Sequence, residues 1–124
     1  MTHEDAQAVA DLTAEHFGIT PVAVQVKNVQ RGRARYGTRK MTFPKWALND
    51  FGDGYATAYV VHEIVHFVVY ARGRLSRDGA HGPYFKSTEN EGLALWDLSI
   101  KRARAYVKEL YSNGECVYRR KRRK

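Results

Sequence analysis

The chain has 124 residues, of which 44% are hydrophobic, so it has the length for one compact domain and not for two. Its formal net charge is +8, but the six residues 119–124 are all basic, which leaves +2 for the rest of the chain. The single cysteine, Cys116, excludes an internal disulfide and a zinc ribbon with four cysteines.

A helix is predicted near the N-terminus. Thr2 followed by Asp5 resembles a helix cap, and Gly18 followed by Pro21 marks where this helix should end. The residues that would form its buried face recur at helical spacing and are Ala6, Val9, Ala10, Leu12, Thr13 and Phe17. The pattern predicts an amphipathic helix with one face on the core.

Two strand regions are predicted next. Residues 22–26 alternate valine with other residues, which is the period of a half-buried strand. Residues 33–43 are predicted to form a second strand region that is interrupted or bent at Gly37. Pro44 then begins a short helical turn that extends through Leu48.

The second half of the chain is predicted to be mainly helical. Residues 55–71 are apolar nearly all round, as expected for a central helix that is packed on several sides. A glycine-rich loop follows over residues 73–82, and Pro83 begins another helical pattern that continues to about Leu110. The apolar positions of that pattern begin with Phe85, Leu93, Trp96 and Ile100.

This order of elements predicts an α+β fold with a single domain over residues 1–118. Residues 117–118 form a last short strand or lead into the basic tail, 119–124, which is predicted to be disordered. The most apolar stretch carries ionisable residues in its middle, which favours a buried helix over a membrane span. One cysteine and an acidic N-terminus favour the cytoplasm, including the nucleoid or the cytoplasm of a host cell.

The central helix carries the motif His-Glu-x-x-His at residues 62–66. His62 and His66 project from the same helix face, so their imidazoles can coordinate one zinc ion. Glu63 is offset from them, so its carboxylate can serve as general base towards water. If these were ordinary polar residues in such apolar surroundings, burial would cost about 1–3 kcal/mol for each neutral group. The motif therefore indicates one Zn²⁺ ion.

A third protein ligand is expected, because zinc hydrolases usually take three and keep the fourth position for water. His81 lies in the glycine-rich loop, and Glu91 lies on the helix that follows. The residues alone leave both candidates open. His3 and His16 have no spacing argument in their favour and are expected to be surface histidines.

At this point the sequence resembles the SprT-like (Spartan-related) family of zinc metalloproteases. The matching pattern is the motif at 62–66, a gap of fourteen residues, and His-Gly-Pro-Tyr-Phe at 81–85. The resemblance extends over about residues 20–100, although only these two segments are specific. It implies a small zincin-like domain, in which a short mixed or antiparallel sheet packs on the central helix and flanking helices.

The resemblance also implies a zinc site whose ligands are His62, His66 and His81. Glu63 is then the catalytic base, and Glu91 either orients a ligand or is a carboxylate on the helix surface. Tyr84 is a candidate oxyanion donor, with packing beside Phe85 as the alternative. Many family members carry a zinc ribbon that Cys116 alone cannot form, so the chain looks like a minimal catalytic core.

The basic residues predict DNA, single-stranded or duplex, as a partner. On a strand, Arg33 and Arg35 share a face, and the nearby Tyr36 and Trp46 would stack on unpaired bases. Lys101, Arg104 and Lys108 recur at helical spacing, with solvated charged faces as the alternative for each patch. The predicted nucleic-acid contacts are Arg33, Arg35, Arg119, Arg120, Lys121, Arg122, Arg123 and Lys124.

Three classes of function remain open at this point. The first is a SprT-like zinc peptidase that cleaves proteins, including those bound to DNA. The second is a small zinc peptidase with Glu91 as third ligand and no role with nucleic acid. The third is a non-enzymatic, basic nucleic-acid-binding protein with a structural zinc ion. This class of function assigns no role to Glu63, which would lie beside the metal.

Overall fold

Four helices and three strands follow one another in the computed structural model, which describes residues 1–74 and 81–96. In chain order they are α1 (His3–Phe17), β1 (Ala23–Lys27), β2 (Arg33–Arg35), β3 (Lys40–Pro44), α2 (Lys45–Asn49), α3 (Asp53–Ala71) and α4 (Pro83–Leu95). The predicted α+β class with a short mixed sheet is confirmed.

Helix α1 begins and ends where the sequence predicts. The Thr2 hydroxyl accepts a hydrogen bond from the Asp5 backbone N–H, and the Asp5 carboxylate accepts one from the Thr2 backbone N–H, both at 3.0 Å. The bond from the Thr2 backbone, followed by that with its side chain, holds the pKa of Asp5 below its usual value. Gly18 ends the helix at φ 69°, a left-handed conformation that glycine adopts without strain.

The three strands form one sheet in the order β1-β3-β2, with β1 parallel and β2 antiparallel to β3. The region 33–43, expected as one interrupted strand, is instead a hairpin with a turn at residues 36–39. Arg39 closes this turn in the left-handed region, at φ 51°, and its N–H donates to the Tyr36 carbonyl at 3.3 Å. The predicted interruption at Gly37 is therefore a reversal of the chain and not a bend.

One face of the sheet is apolar and packs against the helices. Val24, Met41 and Phe43 are buried on it, and the Phe43 ring meets Tyr59 of α3 edge-on at 5.0 Å between centroids. Because side chains alternate along a strand, the residues between these lie on the opposite side. We term that opposite side the outer face of the sheet.

Helix α3 lies in the middle of the domain, as predicted for residues 55–71. Fourteen of its 19 residues are buried, against α1 on one side and against the sheet, α2 and α4 on the others. Such burial explains why the sequence shows apolar residues nearly all round this helix. None of the described helices has the length and apolar character that crossing a lipid bilayer requires.

Helix α4 approaches α3 closely at Gly92. A Cβ built on Gly92 would lie 2.8 Å from Cγ1 of Val61 and 3.4 Å from the Phe17 ring, so a larger residue does not fit without movement. Val61 directly precedes the 62–66 motif. The close contact therefore sets α4 beside the part of α3 that carries the motif.

Part of the predicted pattern lies outside the described residues. Helix α4 ends at Leu95 with Trp96 at its C-cap, and the expected continuation to Leu110 begins beyond that point. The same holds for the predicted strand at 117–118 and the basic tail at 119–124. It also holds for the predicted basic stripe, which comprises Lys101, Arg104 and Lys108.

Replacing Gly92 by alanine should destabilise the domain. Overpacking costs about 1–3 kcal/mol, which exceeds the roughly 1 kcal/mol that alanine gains over glycine within a helix. Thermal unfolding followed by circular dichroism should show a lower midpoint. Gly37→Ala is the matched control, since a Cβ there meets nothing within 4 Å. An unchanged midpoint for Gly92→Ala would mean that α4 can shift away from α3 at no cost.

Candidate metal centre

Two histidines of α3 lie one helical turn apart on the same face, as the motif predicts. His62 is fully buried, and His66 retains only 7% of its surface. The two imidazole rings stand nearly perpendicular, with 5.0 Å between their centroids. Glu63, at 1% exposure, lies next to them on the helix. The burial of three ionisable side chains on one helix segment marks this region as a site.

His81 reaches the same place from the turn that precedes α4. Gly82 is the N-cap of α4 and Pro83 occupies its first turn, so the chain enters this helix directly after His81. Nε2 of His81 lies 3.3 Å from Nε2 of His66, and the half-buried ring stacks on His62 at 5.0 Å. The structure thus brings together the three histidines that the resemblance implies.

The three imidazoles are placed closely enough to hold one metal ion. One ring nitrogen from each of His62, His66 and His81 lies within 4.8 Å of the others. Tetrahedral zinc with Zn–N bonds of about 2.0–2.1 Å requires neighbouring nitrogens to be about 3.3–3.4 Å apart. The separation between His66 and His81 already has this value, at 3.3 Å. The donor set present therefore fits a metal ion such as zinc.

Phe85 packs against all three histidine rings from the first turn of α4. Its ring centroid lies 5.0 Å from that of His62, 4.6 Å from that of His66 and 4.9 Å from that of His81. Phe85 is itself 2% exposed. This one apolar side chain restricts the rotation of the three imidazoles and keeps water away from their inner side. Of the three histidines, His81 alone is not buried.

Glu89 is a site residue that the sequence reasoning missed. Its Oε2 lies 2.6 Å from Nδ1 of His62, and both side chains are buried, at 4% and 0% exposure. When Nδ1 donates its proton to this carboxylate, Nε2 of His62 is left with the lone pair that a metal needs. One signal was present: Glu89 follows Phe85 by four residues and so shares its helix face.

Glu91, the other candidate for third ligand, lies elsewhere. Its Oε2 is 2.8 Å from Nε2 of His16, and the two side chains are 57% and 36% exposed. Within residues 1–74 and 81–96, the group suited to a metal comprises histidines alone. The geometry thus favours His81 over Glu91. His16, expected to be a surface histidine, holds Glu91 at the surface between α1 and α4.

Tyr84, considered as an oxyanion donor, is directed towards the C-terminal end of α3. Its hydroxyl accepts a hydrogen bond from Nη1 of Arg72 at 3.0 Å. The Arg74 guanidinium lies over its ring at 4.3 Å. The role of Tyr84 in catalysis stays a prediction. Its contacts with Arg72 and Arg74 account for the half-buried position of its side chain.

The predicted basic contacts within the described residues lie away from the histidines. Arg33 and Arg35 are exposed on β2 and point to the outer face of the sheet. The expected base-stacking aromatics are already engaged: Trp46 is 3% exposed, and Tyr36 stacks on Tyr70 at 4.5 Å. The burial of Trp46 excludes its ring from stacking on an unpaired base, whereas base stacking by Tyr36 stays a prediction.

Comparison with models of protein families, with curated proteins and with solved structures found no match. The family assignment accordingly stays a resemblance carried by two sequence segments. The functional conclusion depends on the site itself: three converging imidazoles, a buried carboxylate beside them, and a second buried carboxylate behind His62.

His81→Ala should lower zinc occupancy well below one ion per chain, because only two imidazoles would remain. Glu91→Ala should leave occupancy unchanged, since Glu91 pairs with His16 and not with the cluster. Metal content after dialysis, measured by atomic emission, checks both variants. The reverse result would make Glu91 the third ligand and would overturn the assignment of His81.

Glu89→Gln should weaken zinc binding by about 10–100-fold, because the amide holds the His62 ring less firmly and adds no basicity to it. Competition with a chromophoric chelator measures this affinity directly. Glu91→Gln makes the same chemical change two residues away and should have no effect. Equal affinities for wild type and Glu89→Gln would show that the bond to His62 serves packing alone.

Proposed function

We propose that this chain is a zinc-dependent metallopeptidase. The observation that carries the proposal is the convergence of three imidazoles within 4.8 Å beside the buried carboxylate of Glu63. Three neutral nitrogen donors suit zinc among the common ions, and within residues 1–74 and 81–96 they leave the fourth position to water. Structural zinc sites, by contrast, normally close all four positions with protein ligands. The donor set thus favours a catalytic site over a structural one.

When bound, zinc supplies Lewis-acid chemistry, making water nucleophilic near neutral pH and polarising the substrate carbonyl. The residues of the chain perform the remaining tasks. His62, His66 and His81 hold the ion, and Glu89 keeps His62 in the ring orientation that directs Nε2 inwards. Phe85 packs behind the three rings and excludes water from that side.

Glu63 is the proposed general base and acid. It accepts a proton from the attacking water and later delivers it to the amine that leaves when the peptide bond breaks. The position of Glu63 supports this role. Glu63 follows His62 directly in sequence, lies three residues before His66 on the same helix, and is 1% exposed.

The proposed substrates are proteins. His81 is the most exposed of the three histidines, so we expect a polypeptide segment to approach the imidazoles from its side. The resemblance to SprT-like proteases supports proteins bound to DNA as one substrate group. The two alternatives, a peptidase that uses Glu91 and a non-enzymatic protein with structural zinc, are outcomes of the tests.

Glu63→Gln should lower the rate of peptide-bond cleavage by about 100-fold or more, because it removes the proton acceptor but preserves side-chain volume. The measurement is cleavage of a DNA-binding protein by the zinc-loaded full chain, with and without single-stranded DNA. Zinc content should stay at one ion per chain, since Glu63 is not a ligand.

Glu91→Gln is the matched control and should cleave at the wild-type rate, because its side chain lies in a surface pair with His16. Normal cleavage by Glu63→Gln would overturn the assignment of the base. Absence of cleavage by the zinc-loaded wild type, with and without DNA, would favour a structural zinc ion.

A further inference from the structure

The outer face of the sheet gathers basic side chains from all three strands. Strand pairing sets Arg33 opposite Thr42 and Arg35 opposite Lys40, and Thr42 is also paired with Gln25 of β1. Lys27 follows Gln25 by two residues and so shares this face. We term Lys27, Arg33, Arg35 and Lys40 the cationic face of the sheet.

A groove with a volume of about 550 Å³ runs over this face. Its charged lining residues are Lys27, Arg33 and Arg35 of the cationic face, together with Arg31 from the loop before β2. Gln30 and Thr42 add uncharged polar groups, and the described part of the chain contributes no carboxylate to the lining. The groove is therefore a region of uniformly positive potential.

The cationic face is unfavourable for the free protein. Arg35 and Lys40 are direct cross-strand neighbours, with Cβ atoms about 5 Å apart in such a pair, and like charges in this arrangement destabilise a sheet. The ion pairs within the described residues involve the N-terminus, His16 and His62, and none involves a member of the cationic face. A bound polyanion would remove this repulsion.

We propose that the cationic face binds the phosphate backbone of nucleic acid, in duplex form by preference. Arginine, lysine, glutamine and threonine are the side chains that contact phosphate and sugar oxygens in such complexes. Among residues 1–74 and 81–96, no aromatic side chain lines the groove for a base to stack on. Unpaired bases therefore add no affinity, while the higher charge density of a duplex does.

The chemistry of the groove favours a nucleic acid over an acidic peptide. Recognition of a peptide usually adds pockets for side chains, and the apolar side chain in this lining is Val29 alone. A nucleic acid presents evenly spaced phosphates, which match cations fixed at alternate positions of a strand. The basic run at residues 119–124 suits the same kind of polymer.

This surface is separate from the metal centre. The apolar face of the sheet packs on α3, which carries His62 and His66, and the cationic face points the opposite way. Nucleic acid and a protein substrate can therefore be bound at the same time. The proposal holds whether or not the metal centre is a peptidase.

The test uses the full chain and a 20-base-pair duplex whose binding is followed by fluorescence anisotropy over a range of salt concentrations. The double variant Arg33→Gln and Arg35→Gln should bind more weakly. The slope of log affinity against log salt should become shallower by about 2, since each lost phosphate contact removes about 0.9. Wild type should bind the duplex more tightly than a single strand of the same length.

The matched control is the double variant Lys45→Gln and Lys86→Gln, which removes the same charge from exposed positions outside the groove. Its slope should equal that of wild type, and both variants should retain zinc and their unfolding midpoint. Equal effects of the two double variants would overturn the proposal in favour of net charge alone. So would equal or tighter binding of the single strand, or equal competition by polyglutamate.

Discussion

The hydrogen bond between His62 and Glu89 is the contact on which the rest of the site depends. It joins α3 to α4 through two side chains that have almost no exposure to water. Loss of either partner would leave the other buried without it, at a cost of about 1–3 kcal/mol or more when the remaining group is charged. Because of this bond, a single contact fixes both the packing of α4 on α3 and the orientation of His62, a proposed metal ligand. Gly92, one turn further along α4, reinforces it by letting the two helices approach closely.

Much of the fold was predictable because local chemistry determines it. The cap at Thr2, the glycine at Gly18 and the apolar periodicity of 55–71 each specify a local structure without reference to distant residues. The hairpin turn at 36–39 was predicted only as an interruption or bend at Gly37, because the left-handed residue in the turn is Arg39 and not a glycine. A positive φ at arginine has no sequence signal, because residues other than glycine adopt this conformation only rarely.

The part of the candidate site that lies on a single helix, α3, was predictable from the sequence. His62, Glu63 and His66 follow from spacing on α3, and His81 came from a resemblance before the structure placed it at 3.3 Å from His66. Glu89 escaped prediction because its burial depends on how α4 docks on α3, a tertiary relationship that the sequence pattern leaves open. The residues alone left Glu91 open as a candidate ligand. On α4, however, the side chain of Glu91 points about 200° away from that of Glu89 around the helix axis.

The separation of the ligands along the chain has a consequence for stability. His66 and His81 are 15 residues apart in sequence, and a metal shared between them closes that loop as a cross-link would. Closing a loop of this size by a disulfide reduces the entropy of the unfolded chain by the equivalent of about 3 kcal/mol. Because the single cysteine of this chain cannot form an internal disulfide, a metal ion would serve as the cross-link between α3 and α4.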